Sequence, residues 1–228
     1  MEKKYRLTDE TIEFNGVKLH RIEALKDFSV VKKGDKGGFV QSERNLSQLD
    51  NCWIFNDSKA IGNSLVYKNA ELSGNSIICD NAVATGFSCI FGHSIVCEKA
   101  LITDNARIKR NSVVCGNSFV AGDAVVTDFS RVEGFSEVTG NAEIRDALIK
   151  NSSDYIVFKN WWSSLRYFTW TKSNNMWKVG CFYGTGQELI EKAYKDSEVS
   201  GREYRRVVEY VESILRDEEN QNKVIINL

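Results

Sequence analysis

The sequence predicts a mainly β fold: a three-sided parallel β-helix with an N-terminal β-hairpin cap and a small C-terminal α+β domain. Three observations support this prediction: a run of six-residue repeats, a hairpin signal at Asn15-Gly16, and an aromatic-rich C-terminal stretch that ends in helical periodicity. We place the cap at residues 1–45, the repeats at 46–150 and the α+β domain at 151–228.

The repeat is the strongest signal in the chain. From Ser58 to Ala147, fifteen consecutive blocks carry Ala or Ser at the first place and Ala, Val, Ile or Leu at the third; Gly holds the fifth place in eight blocks and Asn the sixth in eight. Each block therefore reads as a short extended segment followed by a turn. Such a unit cannot bury its apolar side alone, so blocks must coil and stack, three to an eighteen-residue coil. Cys79, Cys97 and Cys115 recur every eighteen residues, which predicts a ladder of thiols on one wall.

The second and fourth places of each block should face outward, which predicts two largely apolar walls and one charged wall. A soluble monomer seldom leaves that much apolar surface uncovered. We therefore expect the chain to partner with itself as a homo-oligomer, as a trimer, with the C-terminal domain covering a second wall. The predicted oligomer wall carries Ile77, Cys79, Ile95, Cys97, Val113 and Cys115.

The spacing from an apolar residue to Ala or Ser four places later, as in "VCGNS" and "VTGNA", resembles the hexapeptide-repeat proteins that form left-handed parallel β-helices. The lead-in "RIEALKDFSVVKKGDKGGFVQSERNLSQLDNCWIFNDSKA" also resembles bacterial and phage proteins described as hexapeptide transferases. The resemblance implies the left hand of the helix and a trimer. It also implies acyl transfer from acyl-CoA, with a histidine as general base at a subunit boundary.

His93 is the candidate catalytic residue, because it is the only histidine on the coils. Its equivalents eighteen residues away are Asn75 and Asn111, so we favour a turn residue that replaces Asn. The repeats also lack the extruded loop with which such acyltransferases commonly build an acceptor site. We therefore interpret the protein as a non-catalytic binding or assembly protein of phage or bacterial type, with a small anion as its hypothetical ligand. Two alternatives stay open: an acyltransferase that uses acetyl-CoA, and a phage anti-defence protein that sequesters a signalling nucleotide.

The C-terminal part reads as three strands, "DYIVFKN", "RYFTWTKS" and "MWKVGCFYGT", followed by two helices, the second starting at a Ser200–Glu203 capping box. Glycines before the first helix offer backbone amides to an anion, although a plain strand-to-helix turn is the favoured interpretation. If a ligand pocket exists here, its candidate residues are Trp170, Tyr183, Gly184, Gly186, Arg166 and Lys172.

Composition limits the remaining classes. Thirty basic and thirty-one acidic residues give a net charge of −1, which argues against nucleic-acid and anionic-membrane partners. Six cysteines form no C-x-x-C pair and there are only two histidines, so we expect no metal site and no cofactor beyond acetyl-CoA under the acyltransferase alternative. Without a signal-like start the expected location is the cytoplasm, or the host cytoplasm if the protein is phage-encoded.

Overall fold

The computed structural model describes residues 2–226, with side chains up to residue 221. Two units make up the chain: residues 2–156 together with Thr171–Asn174, and Val157–Trp170 together with the described residues from Asn175 onward. Among these residues, no helix is both long and apolar enough to cross a membrane.

The repeats of the first unit form three parallel sheets, as predicted. The strands of the first sheet are Lys59–Ala60, Ile77–Ile78, Ile95–Val96, Val113–Val114, Arg131–Val132 and Leu148–Ile149. Those of the second are Leu65–Val66, Val83–Ala84, Leu101–Ile102, Phe119–Val120 and Glu137–Val138. Those of the third are Trp53–Ile54, Glu71–Leu72, Cys89–Ile90, Arg107–Ile108, Val125–Thr127 and Glu143–Arg145.

The register of the sheets confirms the eighteen-residue coil. Ile77 pairs with Ile95, and Ile95 pairs with Val113. The final coil is one residue shorter, because Arg131 pairs with Leu148. Ala147 therefore takes the first place of a further block and Ile149 its buried third place, so the six-residue spacing ends one residue earlier than the sequence indicated.

Third-place side chains fill the interior, and those of Ile78, Val96 and Val114 have no exposed surface. The small first-place residues are buried as well, and most of their hydroxyl groups make hydrogen bonds, with Ser88 Oγ as an exception among the described residues. Ser112 Oγ, for example, donates to the carbonyl of Lys109 (2.9 Å) at the same corner. A buried hydroxyl with such a partner avoids the cost of an unsatisfied polar group.

The front of the chain forms the predicted hairpin. Strands Tyr5–Phe14 and Val17–Ala24 meet at a turn where Asn15 (φ 51°) and Gly16 (φ 77°) both adopt positive φ, as a type I′ turn requires. Strand Lys36–Val40 then pairs antiparallel with Val17–Ala24 and parallel with Lys59–Ala60, so the hairpin extends the first sheet. The handedness of the coil follows from the resemblance alone and stays a prediction.

Two further contacts close the ends of the first unit. Lys4 is buried at the front, and its ammonium donates to the carbonyls of Leu49 (3.1 Å), Asp50 (3.4 Å) and Cys52 (2.9 Å). At the other end, Asn174 Nδ2 donates to the carbonyls of the last coil at residues 145 (3.2 Å) and 146 (2.9 Å). Backbone carbonyls of the last coil therefore also have hydrogen-bond donors.

The second unit contains a sheet and two helices. Its sheet has four strands, Tyr155–Lys159, Tyr167–Thr171, Met176–Val179 and Phe182–Gly184, and its helices are α1 (Gly186–Asp196) and α2 (Glu198–Ile226). The last predicted strand is in fact a hairpin, because Gly180 adopts a positive φ of 54° and turns the chain.

The predicted start of the second helix is also wrong. Helix α2 begins at Glu198, and the Ser200 amide donates to Ser197 Oγ (3.1 Å) one turn earlier than the expected capping box. The core of this unit is aromatic: Phe158 stacks on Phe168 and Trp177, with ring centroids 5.4 and 5.8 Å apart.

Candidate functional site

The outward face of the first sheet, which we call the first wall, carries most of the unusual chemistry of the solenoid. Backbone amides of Cys79, Cys97 and Cys115 donate to carbonyls of the next coil at 2.9–3.0 Å. The three thiols therefore stack on successive coils, one strand spacing apart. Cys79 and Cys97 are half-buried, while Cys115 is buried.

An apolar cleft opens at the hairpin end of the first wall. It encloses about 320 Å³ between the hairpin tip and the coils, and the Lys59 ammonium lies 5.3 Å from the centroid of the Phe14 ring at that tip. The hairpin thus overlies part of the wall besides extending the sheet. The cleft is lined by Phe14, Asn15, Val17, Ile61, Ile77, Cys79, Asp80 and Ile95.

A charged cleft of about 440 Å³ lies on the later coils of the first wall. The Arg131 guanidinium pairs with Glu133, lowering the pKa of that carboxyl, and Lys150 Nζ lies 3.7 Å from the same side chain. Arg131 Nη2 also lies 3.4 Å from Cys115 Sγ. Burial nevertheless raises the pKa of the Cys115 thiol, so this thiol is not an activated nucleophile.

The first wall also brings two thiols and a carboxylate together. Among the described residues, the sulfurs of Cys79 and Cys97 and a carboxylate oxygen of Asp80 lie within 4.8 Å of one another. A hydrogen bond from Cys79 lowers the pKa of the Cys97 thiol and raises the pKa of Cys79. The arrangement can hold a soft cation, which the absence of C-x-x-C pairs did not indicate.

His93 lies at an exposed corner of the solenoid and lines neither cleft of the first wall. Its backbone amide donates to the Arg110 carbonyl (2.6 Å), just as the amides of Asn75 and Asn111 donate at equivalent corners. Within the described part of the chain, no hydrogen bond to its imidazole is found. The structure thus gives His93 a turn position and, among the described residues of its own chain, no orienting group.

The candidate ligand residues near the C-terminus do not converge on one site. Trp170 is buried and donates from its indole nitrogen to Asn175 Oδ1 (2.8 Å), while Tyr183 and Gly184 belong to the last strand. Lys172 lies in the loop Thr171–Asn174, which belongs to the first unit.

Arg166 and Gly186 line two separate clefts of the second unit, of about 240 and 200 Å³. The first of these also contains Asn160, whose Oδ1 is buried with no hydrogen-bond partner in the described structure. The start of α1 beside Gly186 already has an acidic partner: Glu188 Oε2 accepts from the Thr185 amide (2.8 Å). That carboxylate disfavours a second anion at the same helix terminus.

Sequence reasoning did not single out the charged cleft, although the eighteen-residue spacing predicts its members. Arg131 and Glu133 follow Val113 and Cys115 by one coil, so extending the first wall by one step finds them. The hairpin tip over the first wall had no such signal, because the sequence fixes the turn but not the direction in which the hairpin folds.

These features together define the class of protein: a mainly β, three-sided parallel β-solenoid of hexapeptide repeats with a thiol–carboxylate cluster and a charged cleft on one wall. No protein-family model matches the chain. It is similar to the uncharacterized acetyltransferase YdcK of Escherichia coli (strain K12), with 34% identity over a 73-residue alignment that covers 28% of this chain and 22% of that protein. The chain therefore spans about a fifth of the length of the curated relative that it matches.

Proposed function

We propose that the protein is an acyl-CoA-dependent acyltransferase whose donor binds along the first wall. The observation that carries the proposal is that one wall presents both an apolar cleft and a charged cleft, in which Arg131 and Lys150 lie beside their partner Glu133 and beside Glu98. A CoA thioester combines a long uncharged arm with phosphates that need cationic partners. The similarity to a protein named as an acetyltransferase supports the same class of reaction.

In this proposal His93 removes the proton from the acceptor as a general base. A catalytic histidine needs an orienting group, and the described part of the chain supplies none for its imidazole. We therefore propose that a neighbouring copy supplies it within a homo-oligomer, a trimer under closed symmetry. The shared surface is the first wall, which would also bring the two clefts to a subunit boundary.

Donor binding is tested by thermal stabilisation of the full chain with acetyl-CoA. Arg131→Gln and Lys150→Gln should abolish the stabilisation, because each removes a cation from the charged cleft. Arg107→Gln is the matched control, since Arg107 is an exposed arginine on the third sheet. If acetyl-CoA fails to stabilise the parent, or if all three variants respond alike, the proposed donor site is wrong.

Catalysis is tested by release of free CoA thiol from acetyl-CoA in the presence of a panel of amine and alcohol acceptors. His93→Asn should lower the rate by roughly 10²–10⁴-fold while acetyl-CoA still stabilises the variant. The fold should tolerate the change, because Asn occupies the equivalent corners Asn75 and Asn111. If the parent binds acetyl-CoA but releases no free CoA with any acceptor, the proposed donor site stands and the proposed acyl transfer is wrong.

A non-catalytic binding or assembly protein is the second candidate function. The specific observation in its favour is that the His93 backbone makes the same corner hydrogen bond as the two asparagines at equivalent places. The same thermal assay, run with signalling nucleotides, separates the candidates. Stabilisation by a nucleotide and not by acetyl-CoA would favour the sequestering hypothesis over the acyltransferase.

The oligomer has its own test. Ile95→Glu and Val113→Glu place carboxylates on the first wall without touching the inward third places, so they should dissociate the assembly and leave the coil folded. Leu101→Glu is the control, since Leu101 has a similar exposure on the second sheet. Light scattering measures the outcome; a parent that runs as a 25.8 kDa monomer contradicts the proposal.

A further inference from the structure

We propose that Cys79, Asp80 and Cys97 form a binding site for a thiophilic divalent cation, with Zn²⁺ as the expected occupant. Two thiolates and a carboxylate are the ligand types that Zn²⁺ accepts in proteins. In many structural zinc sites two cysteines a few residues apart bring two thiols together along the chain. Here the coil achieves the same result across neighbouring strands, because Ile77–Ile78 and Ile95–Val96 pair in register one coil apart. The site shares Cys79 and Asp80 with the apolar cleft of the proposed donor site, but the argument for a bound cation does not depend on acyl transfer.

The distances fit a tetrahedral cation. With Zn–S near 2.3 Å and Zn–O near 2.1 Å, two ligands at the tetrahedral angle lie about 3.6 Å apart, and Cys79 Sγ lies 3.6 Å from Asp80 Oδ2. The remaining ligand distances are below 4.8 Å. Small side-chain rotations therefore bring all three atoms onto one ion, with no movement of the coils.

The carboxylate is held in place by a backbone contact. Asp80 Oδ2 accepts from the Glu98 amide (2.9 Å), and hydrogen bonds of this kind orient metal ligands and support affinity. The positive φ of Asp80, 59°, points to a fixed turn geometry at this corner.

The protonation of the pair is consistent with metal binding. The Cys79 thiol donates to Asp80 Oδ2 (3.6 Å), and a bound cation would take the place of that proton between the same two atoms. Zn²⁺ binding must then release the protons of both thiols, and affinity should increase with pH. Three protein ligands leave one coordination position, next to the apolar cleft that also contains Cys79 and Asp80.

The first test is equilibrium dialysis of the purified full chain against Zn²⁺, with Cd²⁺ as a probe because its thiolate complexes absorb in the ultraviolet. The parent should bind one ion per chain, and Mg²⁺ should not compete. Cys97→Ser should weaken binding by at least about tenfold. Cys89→Ser is the matched control, because Cys89 is also a half-buried thiol but lies on the third sheet.

Asp80→Asn tests the carboxylate separately. Asn tolerates the positive φ at this corner, so the turn should be kept while the charged ligand is lost. Affinity should fall by about tenfold or more. Equal affinity in the parent, Cys97→Ser and Asp80→Asn would overturn the proposal, since binding would then come from other thiols such as the exposed Cys181.

A measurement on the parent protein avoids any question of variant folding. X-ray absorption of the zinc-loaded chain should show two sulfur ligands near 2.3 Å together with oxygen ligands. A shell of nitrogen and oxygen alone, or loss of the ion on dialysis against buffer, would refute the site.

Discussion

The assignment of inward and outward places is tested most directly by the neighbouring valines Val125 and Val126. Val126 has no exposed surface and pairs with Ile108 and Ile144, which are also fully buried. Val125 points outward on the same strand and is only half-buried. Substituting Asp at each position therefore compares a buried place with a half-buried place on the same strand.

The Val126→Asp variant should lose about 5 kcal/mol of unfolding free energy. Loss of the buried valine accounts for about 1.5 kcal/mol, and a carboxyl pKa raised by about three units in an apolar interior adds about 4 kcal/mol at neutral pH. Because the pKa in the folded state lies above that of the unfolded state, this second cost is fully present above the folded-state pKa. It disappears as the pH falls toward about 4.

Urea unfolding followed by far-ultraviolet circular dichroism measures the effect. Val125→Asp should cost less than about 1 kcal/mol, because its carboxylate stays hydrated. A Val126→Asp chain as stable as the parent at pH 7, or a Val125→Asp chain that is equally destabilised, would refute the assigned register.

Three further predictions concern the turns and the ends of the chain. In urea unfolding, Gly116→Ala should destabilise the solenoid by about 2 kcal/mol more than Gly140→Ala. Both glycines have positive φ, but of the two only Gly116 would place a new Cβ against a backbone oxygen, that of Gly134 at 2.5 Å. Equal losses in the two variants would exclude the clash. Lys4→Met should cost about 1–3 kcal/mol because it leaves three carbonyls unsatisfied, whereas Lys3→Met, at an exposed ion pair, should be nearly neutral in the same assay. Thr185→Ala should lower the free energy of unfolding by about 1 kcal/mol. Hydrogen bonds from Thr185 lower the pKa of Glu188, so the stabilisation by that carboxylate is present above its unfolded-state pKa and is lost as the pH falls through the folded-state pKa. Helix content that does not change at acid pH would contradict this role of Glu188.

The architecture of the first unit could be predicted because every six-residue block has the same physical requirements. A third-place side chain such as Val96 must be apolar to fill the interior, and a first-place residue such as Ser112 must be small to fit the corner. The hairpin was equally readable, since Asn15-Gly16 supplies two residues that adopt positive φ. Each of these signals is local, so the sequence displays it without any knowledge of the fold.

The second unit was harder to predict, because the boundaries of its strands and helices depend on tertiary packing. Gly180 divides a continuous apolar stretch into two strands, and a single glycine in such a stretch does not reveal whether the chain turns there. Helix α2 begins before Ser200 because Ser197 is available as a cap one turn earlier. The turn at Gly180 and the start of α2 before Ser200 are both decided by packing, and the composition of these segments alone does not predict them.

The constraints of the fold also explain why reactive and charged side chains lie at the outward places of the coils. Interior places must be apolar, first places must be small, and turns favour residues that accept positive φ, so a coil without insertions can vary freely only at its outward second and fourth places. On the first wall those places carry the thiols of Cys79 and Cys97 next to Asp80, and one coil beyond Cys115 they carry Arg131 and Glu133. Charged pairs on an outward wall need no explanation beyond solubility, but half-buried thiols stacked against a carboxylate contribute little to either solubility or packing. The proposed cation site gives these residues a role, and the first wall is therefore the surface on which ligand experiments should begin.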